Sequence, residues 1–253
     1  MIGKTVSNKR GLAVQAAGPP TEQEAQMRKN LMINQGWIFR YHDGTETALD
    51  LPHTWNALDG QDGGGDYWRG TCTYKKSFSA PSFGADECVY LDFAGVNASA
   101  KVILNGKTVM THDGGYSTFR CDITDHLKSE NELVVEVDNS KNDRVYPQKA
   151  DFTFYGGIYR DVNIVCVSES HFDLDYYGGP GIKVTPKPTD CGGATFEVEA
   201  FVKNADENFT VQYSILDEAG KPAVTFSILT NNSLASTSQV RAVLMQVVRR
   251  LME

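Results

Sequence analysis

Short runs of β-branched and aromatic residues recur about every ten residues through the middle of the chain, at 67–78, 89–93, 100–104, 107–111 and 133–137. Turn-forming residues part them: Asn105-Gly106, Gly114-Gly115 and Asn131. That cadence predicts an all-β sandwich of short strands. Asn105-Gly106, between Val102-Ile103-Leu104 and Lys107-Thr108-Val109, predicts a two-residue hairpin with a type I′ turn, because both central positions must accept positive φ. Trp37, Phe39 and Tyr41 alternate, which puts one face of a strand against a core. Residues 49–55 bring in a further extended segment with Pro52, and Asp122 to Leu127 suits a single helical turn.

Charge and length exclude several classes. The net charge is −8 over 253 residues, and no basic stripe precedes the last twenty residues, so a nucleic-acid partner is not expected. No apolar run approaches the ~18 residues of a membrane span. The first residues, with Lys4, Lys9 and Arg10, lack the apolar core of a signal peptide, so the expected location is cytoplasmic. Cys72, Cys88, Cys121, Cys166 and Cys191 are odd in number and lack a Cys-x-x-Cys pair, which predicts buried free thiols instead of a zinc site or disulfide framework. Residues 56–66 hold four glycines and three aspartates, a polar loop; Asp59, Asp62 and Asp66 lack the spacing of a calcium loop.

The stretch with most chemistry is 151–162. A Gly156-Gly157 pair stands between an aromatic segment and the β-branched run 158–167. Glycines there permit positive φ or close backbone approach. Asp151 lies beside Phe152, Phe154 and Tyr155, and an acid among rings suits a sugar, whose hydroxyls need acceptors and whose C–H faces need aromatic surfaces.

Asp151 with Tyr155-Gly156-Gly157-Ile158-Tyr159-Arg160-Asp161-Val162 resembles the end of the N-terminal sugar-binding domain of glycoside hydrolase family 2. Further signatures stand in the same order upstream: Leu51-Pro52-His53-Thr54-Trp55, Tyr67-Trp68-Arg69, Leu91-Asp92-Phe93-Ala94-Gly95-Val96, Val102-Ile103-Leu104-Asn105-Gly106, and His112-Asp113-Gly114-Gly115-Tyr116 leading to Phe119. The resemblance covers about residues 31–228 and is β-galactosidase-like in flavour. It implies an N-terminal extension over 1–30, a jelly-roll-like, galactose-binding-domain-like sandwich over 31–167 and a partial immunoglobulin-like domain over 168–229.

The tail, 230–253, reads as foreign to the family. Val240, Val243, Leu244, Val247, Val248 and Leu251 fall at helical spacing, which predicts an amphipathic helix. A weaker helical signal runs from Thr21 to Lys29.

Glycoside hydrolysis needs two carboxyl groups flanking one bond. In the family these are glutamates of a barrel that follows the immunoglobulin-like domain, so the resemblance implies a non-catalytic N-terminal fragment that buttresses the barrel and completes its sugar-binding rim. By the same resemblance Asp151 holds sugar hydroxyls, with a possible monovalent cation in the full-length enzyme, and Trp55 and Asn56 are further substrate-binding candidates. No other cofactor is implied. The expected partners are a β-galactoside-like carbohydrate and the catalytic barrel, with self-association possible through exposed strands. A free-standing carbohydrate-binding module, and an interaction module using the tail helix, are the alternatives. His53, His112, Arg160 and Asp161 read as structural, and Tyr116 and Phe119 as core.

Overall fold

The computed structural model describes residues 2–7, 13–15, 28–59, 67–146, 154–188, 194–205, 210–216, 222–229 and 237–247. The described residues form strands and the turns and loops that join them. β1 (Ile2–Ser7) and β2 (Ala13–Gln15) come first. Next are β3 (Arg28–Met32), β4 (Trp37–Arg40), β5 (Glu46–Leu49), β6 (Thr71–Ser79), β7 (Glu87–Phe93) and β8 (Ser99–Leu104). β9 (Lys107–Asp113), β10 (Phe119–Asp122), β11 (Glu130–Asp138) and β12 (Val162–Ser168) follow, with one 3₁₀ turn at Thr124–His126. Last are β13 (His171–Phe172), β14 (Ile182–Pro188), β15 (Ala194–Lys203), β16 (Thr210–Leu216), β17 (Pro222–Leu229) and β18 (Thr237–Val247). No helix among the described residues is long and apolar enough to cross a membrane.

Two compact units divide the chain, Asn30–Cys166 and a second made of Met1–Lys29 with Val167–Glu253. The first is a sandwich of a six-stranded sheet, in the order β5-β4-β6-β11-β8-β9, and a four-stranded sheet, β10-β7-β12-β3. Alternation builds its core. Leu133, Val135 and Val137 of β11 point inward, as do Ala100, Val102 and Leu104 of β8, while the residues between them are more exposed. Trp37, Tyr74, Leu91, Phe93 and Ile164 are fully buried, each contributing roughly 1.5–3 kcal/mol. Asn105 (φ 52°) and Gly106 (φ 83°) form the expected positive-φ pair, and Leu104 pairs directly with Lys107. Asn105 is also tied down, donating to His126 O and to Asn131 Oδ1. Cys72, Cys121 and Cys166 are buried free thiols, and burial pushes the Cys72 thiol up to about 12. Cys191 lies outside the described residues.

The second unit contains two sheets, β17-β16-β1-β2 and one in which β15 pairs β13 and β14 on one side and β18 on the other. Phe172, Val198, Ala200, Val202, Val211 and Tyr213 form its core. Two helical expectations are corrected. Within the tail, residues 237–247 are a strand, running from Thr237 opposite Lys203 to Val247 opposite Ala194, and the rest of 230–253 lies outside the described residues. Ten residues of β15 offer an unpaired ladder edge, and a valine-rich segment satisfies it better as a strand than as a lone helix. Arg28 and Lys29 likewise begin β3 instead of ending a helix, and the remainder of that signal, residues 21–27, lies outside the described residues.

Candidate functional site

The strand order of the Asn30–Cys166 unit delivers several loops to one end of the sandwich. Thr71 opens β6 opposite Asp138, which closes β11; Ser99 opens β8 opposite Asp138 and Asp113; and Phe119 opens β10 opposite Phe93. The segments 53–59, 67–70, 94–98, 114–118, 139–146 and 154–161 therefore gather at the same end.

Asn56 ties them together. It is 0% exposed, and every hydrogen-bonding atom of its amide is used. Oδ1 accepts from Gly156 N (2.8 Å) and Asn139 Nδ2 (3.1 Å); Nδ2 donates to Asp59 Oδ2 (2.7 Å) and Trp68 O (2.9 Å). Asn139 Oδ1 in turn accepts from Gly70 N, and Asp59 Oδ2 from Trp68 N. Composition placed Asn56 at the solvated start of a loop and the family resemblance placed it on a sugar rim. The structure makes it an interior post, because an amide can satisfy four partners from four stretches of chain and has nothing left for a ligand.

The glycine pair lies beneath this post. Gly157 N donates to Asn97 O and its carbonyl accepts from Asn97 N, while His53 N donates to Ile158 O. Asn97 Nδ2 donates to Tyr155 O (2.7 Å). Segment 154–158 is thus clamped between 53–55 and 97. Trp55 is half-buried, packed parallel to Phe39 (6.1 Å) and edge-on to Trp68 (6.2 Å). Its ring lies against Gly156, and its Nε1 is buried without an acceptor among the described residues. It is a wall of the loop end. Asp151, the principal sugar and cation candidate, lies outside the described residues, three positions before Phe154. Among the described residues no group of His, Cys, Asp and Glu is placed to hold a metal ion.

The two histidines are structural, as their isolation in the sequence suggests. His53 Nδ1 is 2.8 Å from Tyr74 Oη. The same hydroxyl also accepts from the Ile158 backbone, so the ring is held by a group that is itself anchored. His112 Nε2 sits 3.2 Å from both Gly114 O and Ser117 Oγ. Burial lowers the pKa of both rings below the usual 6.5. The unfolded chain therefore takes up protons first as pH falls through 6.5, and stability is lost from there down to the folded-state values. A thermal-unfolding series from pH 7.5 to 5 is expected to show a falling Tm, flatter in His53→Gln; an identical slope in that variant would remove His53 from the account.

Arg160 and Asp161 do not pair with each other: Asp161 accepts from Asn34 Nδ2 (2.8 Å), and Arg160 Nη1 approaches Ala94 O and Tyr116 O. Phe119 is core, but Tyr116 is 47% exposed, contrary to expectation. It follows Gly114-Gly115, where the chain turns between β9 and β10 and the side chain has no opposing sheet. Sequence reasoning missed Asn97, Asn139 and Arg69 as members of this end. Arg69 stood in a recognised triplet and carried no assigned role; Asn139 is marked only by its place just after a strand.

This geometry is that of a galactose-binding-like β-sandwich, with its longer loops gathered at one end. Residues 66–175 match the glycosyl hydrolase 2 galactose-binding domain-like family. Over those residues the chain carries the galactose-binding-like domain found in glycoside hydrolase family 2. A β-glucuronidase of Bacteroides fragilis is 32% identical over 202 residues, covering 78% of this chain and 29% of that protein. A β-galactosidase of Thermoanaerobacterium thermosulfurigenes is 30% identical over 233 residues, covering 80% of this chain and 32% of its own length. Among solved structures, the FMN-binding β-glucuronidase from Facaelibacterium prausnitzii L2-6 superposes with a TM-score of 0.76 at 45% identity, over 86% of this chain and 34% of that one. The chain thus spans about a third or less of the length of these relatives.

Proposed function

We propose that the chain serves as the non-catalytic, sugar-facing module of a family 2 glycosidase, packing beside the catalytic portion and lending its loop end to the rim of the substrate pocket. The observation that supports this is the Asn56–Asn139 amide pair, which draws 56–59, 67–70, 139 and 156 to a single end. Four described carboxylates at that end have structural work: Asp59 serves Asn56, Asp113 serves Arg144, Asp138 accepts from Thr71 and Ser140, and Asp161 accepts from Asn34, so none of these four stands as a free acid–nucleophile pair of the kind hydrolysis requires. The relatives include proteins named for glucuronides and for galactosides, which supports a hexopyranoside as the substrate class.

The test is domain replacement. Residues 30–166 put in place of their counterpart in the Bacteroides fragilis β-glucuronidase are expected to give a folded hydrolase. Asp151→Ala in that chimaera is expected to raise KM about tenfold or more with little change in Tm, as loss of a charged hydrogen bond to substrate would. A folded chimaera whose KM ignores Asp151 would sink the rim role.

A further inference from the structure

The Asn105-Gly106 hairpin lies at the end of the sandwich opposite the gathered loops, where β8 gives way to β9. It is the one Asn-Gly pair in the sequence. Such a pair has a chemistry of its own, because the glycine nitrogen is unhindered by a side chain and can close a five-membered ring on the carboxamide carbon of the residue before it. The bond from Gly106 N to Asn105 Cγ forms and the Cγ–Nδ2 bond breaks, the Gly106 N proton leaving with the amine as ammonia. Water then opens the succinimide on either side of the nitrogen. Cleavage at Cγ leaves aspartate; cleavage at the Asn105 backbone carbonyl leaves isoaspartate, with the chain running through the former side chain.

The fold holds every group that ring closure must move. Asn105 Nδ2 donates to His126 O and Asn131 Oδ1, 2.9 Å each, and Asn105 Oδ1 accepts from Glu132 N (3.1 Å). The backbone is pinned to the same residue, Asn105 N donating to Glu132 O (2.9 Å). Asn131 is itself buried and fixed, its Oδ1 accepting from Lys128 N and its Nδ2 donating to Lys128 O. To reach the ring geometry the Asn105 amide must give up three hydrogen bonds together. Gly106, by contrast, is exposed, with nothing within 4 Å of where a Cβ would stand, so water has access to the turn. It is the clamp on 126–132, and not burial, that restrains the pair.

We propose that Asn105-Gly106 is a self-modification site closed by the fold: clamped to 126–132 the amide is inert, on opening it cyclises with Gly106 N, and the resulting aspartate or isoaspartate keeps the hairpin from closing again. Both products work against the clamp. Aspartate brings no amide protons to His126 O and Asn131 Oδ1 and sets a charge against those two oxygens. Isoaspartate adds a backbone carbon to a two-residue turn and so displaces the pairing of Leu104 with Lys107. Unfolding thereby gains an irreversible branch, and the lifetime of the chain depends on how long it spends open.

The test holds the full chain in mildly alkaline buffer, folded and in urea, and follows the peptide containing 105–106 by mass spectrometry, with the aspartate and isoaspartate forms separated by chromatography. Conversion is expected to be about tenfold or more slower in the folded chain, since reaction there waits on local opening. Similar rates in the two conditions would overturn the closure. Gly106→Ala is expected to slow the reaction in urea by crowding the attacking nitrogen. A rate that ignores this change, or an Asn105 that stays intact in urea, would overturn the chemistry. The lock is read on refolding. Chains returned to buffer after increasing times in urea are separated by size exclusion, and the folded fraction is expected to be depleted in the modified peptide. Asn105→Gly keeps the turn and removes the reactive amide, so its refolding yield should hold steady with time in urea while that of the unaltered chain falls. Asn105→Asp, made directly, reads the lost clamp without the reaction and stands in if Asn105→Gly proves unfolded: it is expected to melt below the unaltered chain or to remain unfolded. Modified chains recovered folded as readily as intact ones, or an Asn105→Asp chain with an unchanged Tm, would overturn the lock.

Discussion

Replacing Asn56 by alanine is expected to destabilise the Asn30–Cys166 unit by about 3–5 kcal/mol, the range of substitutions that strand several buried polar groups. The removed amide leaves Gly156 N, Trp68 O and the Asn139 side chain without their partner, at a site with 0% exposure. Urea unfolding followed by tryptophan fluorescence reads this unit by itself, since Trp37, Trp55 and Trp68 all lie within it. Asn56→Asp should be as harmful: it keeps the acceptors, loses both donors and sets a second charge beside Asp59. Asn142, whose hydrogen bonds to Ser99 and Asp113 lie nearer the surface, is the control, with an expected loss of under about 1 kcal/mol. Equal losses at the two sites would show that the amide post adds nothing beyond ordinary surface bonding.

Gly157→Ala is expected to be the most damaging single-methyl change in the domain. At φ 133° the backbone is strained for any side chain, and the added Cβ would sit 2.5 Å from His53 O and 2.7 Å from Tyr74 Oη. Neither neighbour is the loose end of a flexible chain. The first is backbone, and the second is a buried hydroxyl bonded to His53. Overpacking and strain together predict a loss of roughly 3 kcal/mol or more, enough to abolish soluble expression of a marginal domain. Gly106→Ala separates backbone strain from collision. Its φ is also positive, but nothing lies within 4 Å of a Cβ there, so about 1 kcal/mol is expected. If the two variants melt together, the close approach at Gly157 is not what demands glycine.

Period and turn chemistry made the sandwich legible. The inward set of β4, β8 and β11 follows the alternation of Trp37 with Phe39, of Ala100 with Val102 and Leu104, and of Leu133 with Val135 and Val137. Asn105-Gly106 announced its hairpin, because few pairs tolerate positive φ twice. What could not be read depended on contacts remote in sequence. Asn56 and Asn139 meet across 83 positions, and a polar residue in a Gly- and Asp-rich loop gives no sign that it will be interior. The tail has genuine helical spacing, yet its neighbour is a ten-residue strand edge, and no local pattern reports an edge that another segment leaves open. Tyr116 was misjudged for the converse reason: aromatic character suggests burial, but a turn between β9 and β10 provides no facing sheet.

The amide post also bears on how such a module can diversify. Its anchor points stand at 56, 59, 68, 70, 139 and 156, so the spans 59–68 and 139–156 are each closed at both ends by the same cluster of hydrogen bonds. Once the ends are fixed, lengthening a span costs only the slow logarithmic increase of loop closure, roughly 0.6 kcal/mol per doubling. Insertions and deletions there can change the chemistry of this end of the sandwich while the anchor residues and the sheet beneath them stay unchanged.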